Sequence, residues 1–116
     1  MQIVVISGNL GRDPELKYTP SGTAIAAFSV ATTERRKNDK GEYIDETTWW
    51  KVNTFGKTAD FASSYLRKGM RVIVHGRVVP DPTTGGPRVW TDKEGKPRAS
   101  FELNAVQVES QQKLEQ

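Results

Sequence analysis

Apolar and polar positions change period several times along this chain, and each change marks an element. Gln2 to Ser7 is a short apolar run closed by Gly8-Asn9-Leu10-Gly11, and Asp13-Pro14 keeps a helix from starting there; this predicts a first strand and a turn. Behind Pro20-Ser21-Gly22, the residues Ala24, Ala26, Phe28 and Val30 fall on one face at period two, which predicts a second strand over Ala24 to Ala31. The charge-dense stretch from Glu34 to Glu46, with Asn38-Asp39-Lys40-Gly41 as turn chemistry, predicts a long loop or hairpin leading into a third strand, Thr47 to Phe55. From Thr58 to Leu66 the period becomes helical: Phe61 with Tyr65 and Ala62 with Leu66 are i,i+4 pairs, and Gly69 follows as a C-cap glycine would. Arg71 to Val79, stopped by Pro80 and Pro82, predicts a fourth strand, and Ala99 to Val108 a fifth, with a Gly/Pro-rich excursion carrying Trp90 between them.

The order β-β-β-α-β-β, with long loops before the third and fifth strands, is that of an OB-fold: all-β with one helix, a five-stranded barrel with the helix between strands three and four, whose binding surface is the face of strands two and three with the flanking loops. A mixed α+β sandwich is the alternative reading of the same order. Residues 1–109 are expected to form this single domain and 110–116 a short polar, disordered tail.

Composition narrows the class of function. At 116 residues, 35% hydrophobic and 27% charged, the chain has room for one folded core. Without cysteine it has no disulfide scaffold, no cysteine-ligated zinc and no thiol nucleophile. The start Met1-Gln2-Ile3-Val4 lacks a basic leader and no run reaches transmembrane length, so a cytoplasmic protein without membrane partners is expected. The net charge of +3 is a mild excess, and the distribution says more: bases cluster at Arg35-Arg36-Lys37, at Arg67-Lys68 with Arg71, and at Lys93, Lys96 and Arg98.

Alternation in the third strand places Trp49, Lys51, Asn53 and Phe55 on one face and Trp50, Val52 and Thr54 on the other. Strand aromatics usually belong to a core, but both faces cannot be core. Two aromatics beside a cation and an amide suit stacked bases and a tracked phosphate backbone, whereas Trp50 and Val52 suit packing or a subunit contact. Trp90 lies in a polar, basic stretch and reads either as a stacking platform or as a clasp between two hairpin arms. Arg35 and Arg36 can meet phosphates, stack as planar guanidinium groups, or stand solvated in a charged loop.

Enzyme and cofactor motifs fail. Gly56-Lys57-Thr58 ends like a phosphate-binding loop, but Lys51 stands where its first glycine belongs. Gly8 and Gly11 lack the third glycine and the helix of a dinucleotide site. His75 is the single histidine, without a histidine partner for a metal. No catalysis, cofactor or metal is expected.

Four segments together resemble the bacterial and mitochondrial single-stranded DNA-binding family from about Ile3 to Val108: Ser7-Gly8-Asn9-Leu10-Gly11-Arg12-Asp13-Pro14-Glu15; Thr48-Trp49-Trp50-Lys51-Val52 running to Phe55-Gly56-Lys57; Ala62 to Gly69; and Trp90-Thr91-Asp92. The resemblance implies a homotetramer that binds and protects single-stranded DNA in replication, repair and recombination, associated with the bacterial nucleoid. By position Trp49, Phe55 and Trp90 correspond to the family's stacking aromatics. Candidates for phosphate contacts are Arg35, Arg36, Lys51, Lys57, Arg71, Arg77, Arg88 and Lys93; candidates for a subunit interface or core are Ile3, Val5, Trp50 and Val52.

This sequence departs from the family pattern in several places. Arg35-Arg36 stand where many members have a tryptophan, Trp50 stands at an often polar position near subunit contacts, and Val79 to Gly86 looks like an insertion that lengthens the Trp90 hairpin. The chain ends at Lys113-Leu114-Glu115-Gln116 without the acidic tip that recruits other proteins, so tip-mediated partners are not expected. An RNA-binding OB module and a replication-restart or protein-docking OB-fold remain the alternative functions.

Overall fold

The computed structural model describes residues 1–111. The elements follow in the order β1 (Val4–Leu10), β2 (Glu15–Tyr18), β3 (Ala24–Lys37), β4 (Tyr43–Phe55), α1 (Gly56–Tyr65), β5 (Arg71–Val78), β6 (Val89–Thr91), β7 (Pro97–Ala99) and β8 (Phe101–Ser110). The five expected strands are β1, β3, β4, β5 and β8. They hydrogen-bond in the order β1-β5-β8-β4-β3, and β1 returns to β3 at Asn9↔Ala31 and Leu10↔Val30, closing an OB-type barrel with α1 between its third and fourth strands.

Closure explains why β1 runs through Gly8 to Leu10, where the sequence suggests a turn. Ile6, Gly8 and Leu10 alternate inward, and a Cβ on Gly8 would lie 2.1 Å from the Ala31 carbonyl oxygen. Only a residue without a side chain lets the two backbones cross so closely.

Inside the barrel the period-two pattern holds. Phe28 and Val30 of β3, Val52 of β4, Val72 and Val74 of β5 and Leu103 of β8 are buried together. The α1 helix stops one end of this core with Ala59 and Ala62, followed by Leu66. Only one of the two expected helical lanes is buried: Phe61 and Tyr65 stack on each other at 5.4 Å, with Phe61 exposed. Gly69 is not the C-cap. The helix ends at Tyr65, Leu66 turns to extended backbone, and Arg67 donates to the carbonyl oxygens of Ser63 and Leu66 at 3.1 and 2.7 Å. That guanidinium serves carbonyls near the helix end, the role a glycine cap's backbone N–H groups would otherwise take. Gly69 instead donates from its backbone N to the Leu10 oxygen at 2.9 Å.

The polar segments resolve one open expectation and add two differences. The stretch from Glu34 to Glu46, expected as a long loop or hairpin, is the hairpin: β3 and β4 pair without a break to Lys37↔Tyr43. The strand β2 pairs with β3 from Glu15↔Ala27 to Tyr18↔Ala24 with all four of its residues exposed, which leaves it no alternation to recognise. The residues from Val79 to Gly86 do not lengthen the Trp90 ladder, since β6 and β7 have three residues each. They fold into a turn in which the Asp81 carboxylate accepts from the backbone N of Thr83 and Thr84 at 2.8 and 3.1 Å.

Ordered structure also passes the expected boundary at 109. Ser110 ends β8, and the Gln111 backbone N donates to the Arg71 oxygen at 2.8 Å. The rest of the expected tail, 112–116, lies outside the described residues. Among the described residues no helix is long and apolar enough to cross a membrane.

Candidate nucleic-acid interface

The outer face of the sheet is built in rows. Trp49 lies across from Ala31, which lies across from Asn9 and then Arg71 of β5. Lys51 lies beside Ser29 on one flank and Glu102 on the other. Asn53 follows beside Ala27 and Glu15, and on its other side Asn104 and Arg77. Phe55 closes the series with Ile25 and Lys17. Side chains in one row point the same way, so the small residues Ala31, Ser29 and Ala27 form a low floor above which the β4 aromatics stand.

Those aromatics are open to solvent: Trp49 is 55% and Phe55 42% exposed. Trp49 owes its position to Gly11, where a Cβ would meet the six-membered ring of the indole at 2.6 Å. The edge of the indole therefore occupies the space that a side chain at position 11 would fill. Beside it a cleft of about 550 Å³ is lined by Arg12, Glu15, Trp49, Lys51 and Phe101 among others. Lys51 is exposed between the two aromatics, and Lys57 is exposed two residues beyond Phe55 at the start of α1.

Trp90 stands apart on the β6–β7 hairpin, 52% exposed, opposite Arg98. Its ladder neighbour is a cation, and about half of the ring is open to solvent. Asp92 fixes the hairpin turn by accepting from the backbone N of Glu94 and Lys96, both at 2.9 Å, and from Arg98 Nε at 2.9 Å. The Lys96 amide first, then the Arg98 guanidinium, hold the Asp92 carboxyl below the ordinary carboxylate range. A lowered value means that this support is full at neutral pH and is lost only as pH falls through it. Lys93 is exposed at the tip of the same turn.

The two arginines of the β3–β4 arm separate. Arg35 is opposite Asp45, with Nε 3.4 Å from the carboxylate and its guanidinium 5.7 Å from the Tyr43 ring centroid. By alternation it shares the Trp49 face. Arg36 shares the Trp50 face and pairs there with Glu46. Arg71 is bonded to Gln111 and Asn9 at 3.2 and 3.4 Å, and Arg77 is exposed in register with Asn104. Arg88 is engaged by Glu102, 3.6 Å away.

Of the interface or core candidates, Val52 is wholly buried and Trp50 is half-buried against the core, its ring 5.4 Å from that of Phe101 and its Nε1 donating to Thr32 Oγ1 at 3.1 Å. Ile3 and Val5 are 62% and 61% exposed, so neither is core.

Sequence reasoning overlooked Arg12, Lys17 and Phe101. Arg12 and Lys17 reach the face only because β2 and the turn before it fold beside β3, whereas Phe101, set beside Trp50 because β8 runs parallel to β4, lies on the Trp50 side and borders the cleft from there. Among the described residues no group of His, Asp and Glu has the arrangement of a metal site. What the face offers is flat apolar rings at intervals with cations between them.

Residues 1–111 match the sequence pattern described as the Single-strand binding protein family. Over 106 residues, 91% of this chain, it is 40% identical to a single-stranded DNA-binding protein of Wolinella succinogenes, and it spans 61% of that relative's length. A crystal structure of the small single-stranded DNA-binding protein from Streptomyces coelicolor is similar with a TM-score of 0.73 and 26% identity, over 94% of this chain and 93% of that one. A deletion variant of the single-stranded DNA binding protein from Thermus aquaticus shares the fold at a TM-score of 0.75 and 24% identity, over 97% of this chain and 51% of that one.

Proposed function

Because this chain belongs to the single-strand binding protein family, we propose that it binds and protects single-stranded DNA with little regard to sequence, as a homotetramer serving replication, repair and recombination in the cytoplasm. Family membership makes it a binding protein rather than an enzyme. The observation that carries the reading is the outward row of Trp49, Lys51, Asn53 and Phe55 over a floor of small residues. A ring accepts the face of any base once that base is unpaired, and a lysine beside it meets the backbone charge. Trp90 adds a ring from the hairpin, and Arg35, Lys51, Lys57, Arg71, Arg77 and Lys93 supply dispersed positive charge.

Competition at fixed salt tests this. Oligothymidine is expected to quench the tryptophan fluorescence and to be displaced by unrelated single strands far better than by duplex DNA of equal length. Preference for a matched RNA strand would favour the RNA-binding reading, which needs a contact rewarding a 2′-hydroxyl. Equal competition by duplex would remove the stacking mechanism.

The separation of Arg35 from Arg36 gives a second expectation. Arg35→Ala should weaken oligothymidine binding and flatten the log–log salt dependence by about 0.7, the loss of one phosphate contact on a single strand. Arg36→Ala, on the other face, should leave the slope where it was. Equal slopes in both variants would return Arg35 to a solvated ion pair with Asp45.

Self-association is supported by the exposed Ile3, just before β1, and the exposed Val5 on it. In the described residues that strand pairs with β5 from Val4 to Asn9 but with β3 only at Asn9 and Leu10, which leaves a strand edge beside an apolar surface.

A further inference from the structure

Glu102 is the one charged side chain buried among the described residues, at 6% exposed, and it sits on the face assigned to DNA. An uncompensated carboxylate there would oppose both burial and a polyanion. Its Oε1 accepts from Asn53 Nδ2 at 2.9 Å, and the same nitrogen lies 3.3 Å from Asn104 Oδ1. Its Oε2 lies 3.6 Å from Arg88 Nη1. Its backbone oxygen accepts from the Val79 backbone N at 2.9 Å. Glu102 thus holds the Trp90 excursion where it leaves the barrel, at Val79, and where it enters β6, at Arg88. The β6–β7 hairpin forms a two-stranded sheet of its own, so its ladder does nothing to orient it on the barrel.

We propose that Glu102 is a positioning residue for Trp90, that it holds the hairpin against the barrel through Arg88, and that Arg88 serves this anchor instead of a DNA phosphate. The binding half of this proposal rests on the single-stranded DNA reading above. An oriented hairpin loses less freedom when a base stacks on Trp90, and a buried carboxylate is a firm anchor for a guanidinium because it has few other partners.

Fluorine NMR of protein labelled with 5-fluorotryptophan tests the anchor without DNA. The Trp90 signal, identified by its loss in Trp90→Phe, is expected to relax with the barrel in the native protein. It should gain fast local motion in Glu102→Gln and in Arg88→Gln, and Arg88→Lys should restore most of the native relaxation. Oligothymidine binding should weaken about fivefold in Glu102→Gln, the cost of re-ordering the hairpin, with the salt slope unchanged. Unchanged Trp90 relaxation in both glutamine variants would overturn the proposal, whatever their melting temperatures. So would tighter binding by Glu102→Gln with a slope steeper by about 0.7, because Glu102 would then only mask a phosphate ligand. Native protein that fails to bind oligothymidine while Trp90 loosens in Glu102→Gln would overturn the DNA reading and support the anchor.

Discussion

Alanine in place of Trp49, Phe55 or Trp90 is expected to weaken oligothymidine binding by about 1–3 kcal/mol each and to leave thermal unfolding nearly unchanged. All three rings are about half exposed, so truncating them opens no cavity in the core, and what is lost is surface on which a base can lie. The effect at Trp49 has a second test through its support. Because the edge of the indole abuts Gly11, Gly11→Ala must displace the ring without removing it. Gly11→Ala should therefore reproduce part of the Trp49→Ala loss in titrations of intrinsic fluorescence. Full affinity in Trp49→Ala with a lowered melting temperature would mean that the ring is structural.

At the neighbouring position the same substitution should act on the protein instead of the ligand. Trp50→Ala is expected to destabilise the fold by about 3 kcal/mol, the low end of the range for a buried aromatic because part of the indole is open. It removes packing against the core, the tilted contact with Phe101 and the donor to Thr32, whose hydroxyl is part-buried. The exposed remainder of the ring lines a groove of about 490 Å³ with Val4, Val5 and Thr48, next to the strand edge proposed for self-association. Sedimentation equilibrium and thermal unfolding should therefore both shift in Trp50→Ala, with oligothymidine affinity falling only as far as assembly does. A stable, fully assembled Trp50→Ala that has lost DNA would invert the assignment of the two β4 faces.

Both predictions rest on alternation, which the sequence displays plainly where one side of a strand is buried. Ala24 to Val30 and Trp49 to Phe55 show period two because their inner residues meet a core, and 59–66 shows helical spacing because one lane of α1 does the same. The same logic makes the two faces of β4 readable before any partner strand is known. From these segments the sequence by itself determined two of the barrel's strands, its single helix and the residues that share a face with Trp49, namely Lys51, Asn53 and Phe55.

Only the tertiary structure decided the rest, because the signal there depends on partners distant in the chain. The residues of β2 and of the β3–β4 arm lie in solvent on both sides, so no periodicity marks them, and only the pairing with β3 or across the hairpin makes them strands. Gly8 looks like turn punctuation until Ala31 is brought against it. Arg35 and Arg36 are adjacent and alike in sequence; the unbroken ladder of the arm sends one to each face. Glu102 looks like any exposed strand carboxylate, and it is buried because β8 lies parallel to β4, which brings Asn53 to it, and because the excursion after β5 returns Arg88 over it. Local period reports whether a residue faces a core; it carries no record of which distant side chain will arrive to cover it.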